Sequence, residues 1–101
     1  MDLKETKLAI QSNNFRITLH ALKELEADDI TIKELKKSIA SAEIIEDYSY
    51  SKPMPSCLML SFDNVGPIHS VWAHDESSSR FILVTAYRPN PKKWVEYKLR
   101  R

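Results

Sequence analysis

Two runs dense in β-branched and aromatic residues, Pro67–His74 and Arg80–Tyr87, are separated only by Asp75–Ser79. Parallel neighbours need a crossover of about a dozen residues or more, so two strands this close in sequence must pair antiparallel. The same logic extends upstream. Ser56–Phe62 alternates Ser56, Leu58, Leu60 and Phe62 with Cys57, Met59 and Ser61, and Asp63-Asn64-Val65-Gly66 turns it back. Gly66 is the only glycine in the chain and is placed where a turn would use a positive φ. Ala42–Tyr48 reads as a further strand, and the prolines of Ser49–Pro55 keep the following loop out of any ladder.

The first forty residues carry helical signals instead. Asp2 with Glu5 and Thr31 with Glu34 have capping-box spacing, and Thr18 is placed as an N-cap. Helices are therefore predicted over 3–12, after Thr18, and over 32–40, the second with Leu19, Leu22 and Leu25 on one face. Asn13-Asn14 stops the first, Asp28-Asp29 ends the second, and Phe15-Arg16-Ile17 is a short extended link. The expected fold is α+β: N-terminal helices packed on a four-stranded antiparallel β-meander, closed by a short C-terminal helical turn. Residues 1–101 are expected to form a single domain, with an N-terminal helix in 1–14 and a basic tail in 96–101.

An apolar content of 43% is enough for a core without staples. Cys57 is the only cysteine, and His20, His69 and His74 have no metal-site spacing, so neither disulfide nor metal nor other cofactor is expected. There is no apolar signal core and no run of the roughly 20 apolar residues that cross a bilayer, which points to a cytoplasmic protein without a membrane partner. Net charge is only +1, but from Arg80 onward seven cations face the single acid Glu96.

His20 falls in the first turn of its helix, where free backbone N–H groups attract an anion, and one turn before Glu24, with which it can pair at i,i+4. His69 shares a sheet face with Val71 and Ala73, while His74 stands beside a turn. Tyr87 and Arg88 end the last strand just before two prolines. There Tyr87 could donate a proton, and Arg88, Lys92 and Lys93 could neutralise phosphates. Ser56 lacks a nucleophile elbow and Cys57 lies in an apolar strand, so covalent catalysis is not expected.

The segments Ile17-Thr18-Leu19-His20-Ala21, Glu43–Tyr48, Pro55-Ser56-Cys57-Leu58, Pro67-Ile68-His69 and Thr85–Pro91 with Trp94 together resemble family 4258 of the domains of unknown function, over residues 15–95. The resemblance implies a compact α+β domain similar to the BrnT and RelE toxins, whose relatives cleave RNA without a metal, and a small antitoxin protein as partner. Glu24 and Asp28 stand where such proteins usually carry bases. Either that helix faces away from an RNA backbone or the activity is weakened.

The sharper expectation is an endoribonuclease. His20 and His69, with Tyr87 as an alternative acid, would move protons for attack by the ribose 2′-OH, and Arg88 with Lys92 would stabilise the phosphate. The alternative is a non-catalytic interaction module using Tyr48, Tyr50, Met54 and Trp94 as an apolar contact surface.

Overall fold

Three short helices, each opened by a side-chain cap, fall in the first forty residues. The computed structural model describes all of residues 1–101, in the order α1 (Leu3–Gln11), β1 (Phe15–Ile17), α2 (Leu19–Ala27), α3 (Ile32–Ser38, running on as a 3-10 turn to Ser41), β2 (Glu43–Tyr48), β3 (Ser56–Phe62), β4 (Pro67–Asp75), β5 (Arg80–Tyr87), β6 (Trp94–Val95) and β7 (Leu99–Arg100). Asp2 accepts from Glu5 N–H at 2.9 Å, Thr18 Oγ1 from Ala21 N–H at 3.1 Å, and Thr31 with Glu34 forms a complete capping box at 3.0 Å each way. Such a cap contributes about 1 kcal/mol, a large share of what a nine-residue helix can gain from local interactions. α1 and α2 both end in Schellman motifs without glycine: Asn13 and Asp29 take φ of 62° and 56°, and Asn14 and Ile30 donate back to Ala9 and Leu25.

The sheet has five strands in the order β1-β5-β4-β3-β2, not the four of an antiparallel meander. β2 to β5 do pair antiparallel, but β1 adds a parallel edge to β5, with Phe15 opposite Phe81 and Ile17 opposite Leu83. A three-residue strand carries too little alternation to be read as one. The meander argument also constrains only neighbours in sequence: the whole of residues 18–79 serves as the crossover between β1 and β5.

The expected C-terminal helical turn is also absent. β6 and β7 form a hairpin, and the residues expected as a basic tail supply its turn and second strand. Glu96 and Tyr97 at the turn have φ of 52° and 64°, and Lys98 N–H donates to the Val95 carbonyl at 3.0 Å, a β-turn with both central residues left-handed inside a loop of residues 96–98 that sets Val95 opposite Leu99. Such turns favour Asn-Gly, and Glu-Tyr gives no such signal. Each of the two non-glycine residues costs about 1 kcal/mol in this conformation.

α2 completes the sheet where β1 stops. Thr18 Oγ1 donates to the Val84 carbonyl at 3.0 Å, Glu24 accepts from Ala86 N–H at 3.1 Å and from the Thr85 hydroxyl, and Asp28 accepts from Arg88 N–H at 2.7 Å. The acids at 24 and 28 thus serve as edge partners for β5, which accounts for carboxylates on this helix. Glu24→Ala is expected to lower the unfolding free energy by about 2 kcal/mol, seen as a lower urea midpoint at unchanged m-value, and Glu24→Gln by clearly less because its amide oxygen still accepts. Equal losses in the two variants would contradict the edge-partner role.

The helices bury one sheet face. Ile10, Leu25, Leu35 and Ile39 pack on Cys57, Met59, Ile68, Trp72, Phe81 and Leu83, with Phe15 edge-on to Trp72 at 5.3 Å between ring centroids. The buried positions of α2 are Ala21 and Leu25, whereas Leu19 is 67% exposed, so the predicted Leu19-Leu22-Leu25 stripe is rotated from the real one. No helix is long and apolar enough to cross a membrane.

Candidate active site beneath the C-terminal hairpin

Strand register lays Glu43, Leu60, His69 and Tyr87 side by side in one row across β2, β3, β4 and β5. Because side chains alternate along a strand, this row belongs to the face away from the helices. The C-terminal hairpin lies over it.

His69 is fully buried there. Its Nε2 lies 2.6 Å from the Tyr97 carbonyl, which can only accept, so Nε2 carries the proton. Neutral Nδ1 then accepts from the Tyr87 hydroxyl at 3.2 Å. Trp94 packs edge-on to the imidazole at 4.5 Å, and the Arg100 guanidinium covers the Trp94 ring at 4.7 Å. Arg100 is also forked onto Glu46, Nε to Oε2 at 2.9 Å and Nη2 to Oε1 at 3.0 Å, and the Tyr48 hydroxyl donates to the same carboxylate. Lys98 pairs with Glu43 at 2.9 Å.

The environment sets the protonation states. Burial holds the His69 imidazole below its ordinary value, against an opposing push from the Tyr97 hydrogen bond and Glu46. Burial raises the Tyr87 and Tyr48 phenols, with Glu46 adding to both, so each is a proton donor at neutral pH. The Arg100 hydrogen bond keeps Glu46 ionised. A neutral base, two protonated phenols, a carboxylate and a fixed cation therefore share one sheet face.

Of the residues singled out from sequence, the structure brings together His69 and Tyr87. His20 lies elsewhere, in the exposed first turn of α2 on the helix side, with Nε2 3.2 Å from Glu24. His74 stacks on Phe81 at 4.4 Å near the far end of β4. Arg88 is forked onto Asp63 at 2.8 and 2.7 Å and donates to the Gly66 and Pro67 carbonyls, tying β5 to the β3–β4 turn. Lys92 and Lys93 are exposed in the turn before β6. Burial pushes the Cys57 thiol up to about 12, far from a reactive thiolate.

Sequence reasoning did not select Glu46 or Arg100 for the site. Alternation in β2 does put Glu46 and Tyr48 on one face, a signal available at the outset. Arg100 gave none, because its position depends on a hairpin with no local turn signature.

A family model described as Domain of unknown function (DUF4258) matches residues 17–88, which run from the end of β1 through β5 and hold His69, Tyr87, Glu46 and Tyr48. No curated protein and no solved structure matches the chain. Since the match takes in well over half of the sequence and four of the five strands whole, the protein belongs to the DUF4258 family.

Proposed function

We propose that this protein is a toxin-like endoribonuclease that cleaves RNA without a metal, with His69 and Tyr87 as its proton-transfer pair. The observation that carries this reading is the Tyr87 hydroxyl hydrogen-bonded to the unprotonated Nδ1 of a neutral, buried His69, beside the fixed charge of Arg100. In the reaction the ribose 2′-oxygen attacks phosphorus and the bond to the 5′-oxygen breaks. His69 takes the 2′-OH proton through Tyr87, whose own proton passes to Nδ1. Arg100 stabilises the negative charge on the phosphoryl oxygens, and the Tyr48 phenol protonates the leaving 5′-oxygen. The products are a 2′,3′-cyclic phosphate and a 5′-hydroxyl end. His20 and Arg88 have no part in this chemistry, because Glu24 and Asp63 engage them away from the row.

Total RNA and ribosome-bound mRNA incubated with the purified chain in chelator are expected to be cut, leaving cyclic phosphate ends. Tyr87→Phe, which keeps the ring packing, is expected to slow cleavage about a hundredfold with little change in melting temperature. Cleavage that needs an added metal ion, or that proceeds at full rate in Tyr87→Phe, would refute the assignment.

One observation favours a non-catalytic binding module instead: His69 is wholly buried with both ring nitrogens bonded, as a purely structural histidine would be. Induced expression separates the two. Growth arrest relieved by a neighbouring antitoxin gene supports the toxin reading, and no arrest supports the module.

A further inference from the structure

We infer that the C-terminal hairpin, Trp94 to Arg100, is a displaceable cap on the His69–Tyr87 site, and that its Tyr97 carbonyl holds the place of a ligand oxygen. This inference takes the site from the reading above, but the motion of the cap is testable without it. Nε2 of His69 donates 2.6 Å to that carbonyl, and no solvent reaches the ring. A hydroxyl or phosphoryl oxygen that used the same donor would have to remove Tyr97 first, and because Arg100 travels with the cap it reaches the phosphoryl oxygens only when the hairpin closes again over bound RNA.

The cap is built to come away as a unit. It is a pair of two-residue strands hydrogen-bonded to each other, forming a sheet separate from the main one. Its turn holds Glu96 and Tyr97 at φ of 52° and 64°, a conformation in which neither residue is at ease, so the closed form is strained where it meets His69. Its ties to β2 are the Lys98–Glu43 pair, half exposed on both sides and so weak and screened by salt, and the forked Arg100–Glu46 pair, the stronger of the two. Only Trp94 is inserted deeply. Pro89 and Pro91 stiffen the segment that leads into the cap, and the turn Asn90–Lys93 supplies a place to pivot. The outward side of the hairpin carries the exposed cross-strand pair Val95 and Leu99, so displacement uncovers His69 and Tyr87 without unfolding the five-stranded sheet.

Modification of histidines by diethyl pyrocarbonate, located by peptide mass mapping, reads the opening directly. In the wild-type protein His20, exposed on α2, is the internal standard, and His69 is expected to react far more slowly. Lys98→Glu replaces attraction to Glu43 with repulsion and is expected to speed His69 modification about fivefold or more at low salt, with His20 unchanged. Glu96→Asn, which tolerates positive φ, is expected to slow it severalfold. Raising the salt concentration should move the wild type toward Lys98→Glu. If His69 reacts at one rate in all three proteins, equal to the rate of global unfolding by hydrogen exchange, the cap does not open on its own and the inference fails. If the rates shift as expected and RNA cleavage rises with them in Lys98→Glu, both readings stand. If the rates shift and no protein cuts RNA, the cap stands and the ribonuclease reading falls.

Discussion

Replacing Arg88 with alanine is expected to cost this domain about 3 kcal/mol, much of a small protein's stability. The guanidinium makes two parallel bonds to Asp63 at 2.8 and 2.7 Å and two more to the Gly66 and Pro67 carbonyls, and the Asp63 side chain is only 7% exposed. Its removal leaves a part-buried carboxylate without its counter-charge and takes one donor from each of two carbonyls, of which Gly66 keeps the Asp63 N–H at 3.1 Å. Arg88→Lys is expected to recover only part of the loss, since an ammonium cannot match both carboxylate oxygens in one plane. Acidity gives a second readout. The Arg88 hydrogen bond lowers the Asp63 carboxyl to about 2, with the Gly66 and Val65 amides assisting, so its stabilisation is fully present above the unfolded value near 3.8 and is lost as pH falls through about 2. In Arg88→Ala the folded Asp63 carboxyl returns toward the unfolded value, so this part of the acid limb should flatten. An Arg88→Ala protein as stable as wild type, with the same acid limb, would show that this clamp does nothing for the fold and leave Arg88 free for a phosphate.

Helix starts were legible because a cap is a local signature: Asp2, Thr18 and Thr31 each sit three residues before the amide they accept from. Strands β3 to β5 were legible because each is long enough for its alternation or β-rich composition to show. What escaped depends on partners distant in sequence. β1 is a strand only because β5, more than sixty residues later, offers a free edge. The hairpin turn at Glu96-Tyr97 is held by the bonds and ion pairs of its flanks, against the preference of its own residues. Leu19 follows the helical spacing of Leu22 yet faces solvent, because α2 is rotated to bring Glu24 and Asp28 onto the β5 edge.

The candidate site divides in the same way. His69 and Tyr87 were both in view as residues, and only register makes them a pair, since a bulge at Val71/Trp72 sets which residue of β5 lies opposite His69. His20 drew notice for its place at a helix N-terminus, but Glu24 occupies its ring nitrogen and is itself held by β5. The acids that looked like a departure from an RNA-binding helix are answers to a backbone problem. Cations counted as a basic tail are spent in part on Glu43 and Glu46, so the local charge excess overstates what is free to meet a phosphate.

His69 itself gives the second large effect, and the choice of substitution decides what it reveals. His69→Ala is expected to lose about 3 kcal/mol, because it opens a void beneath Trp94 and strips the Tyr97 carbonyl and Tyr87 hydroxyl of their partner. Loss of RNA cleavage in that variant would say nothing about chemistry. His69→Gln is the informative one: an amide can donate to Tyr97 and accept from Tyr87, so most of the stability should return, while the group that takes up a proton is gone. Two measurements then separate structure from catalysis. In wild type, burial keeps the folded imidazole below the ordinary histidine value near 6.5, so the unfolded chain binds more protons as pH falls through that value. The His69 contribution is therefore complete above about pH 6.5 and declines below it, by up to about 1.4 kcal/mol per pH unit, until the folded protein also takes up the proton. His69→Gln should flatten this limb and, as a folded protein, fail to cut RNA. A folded glutamine variant that cleaves at the wild-type rate would reduce His69 to the peg that holds the hairpin down, and would leave proton transfer at this face without its base.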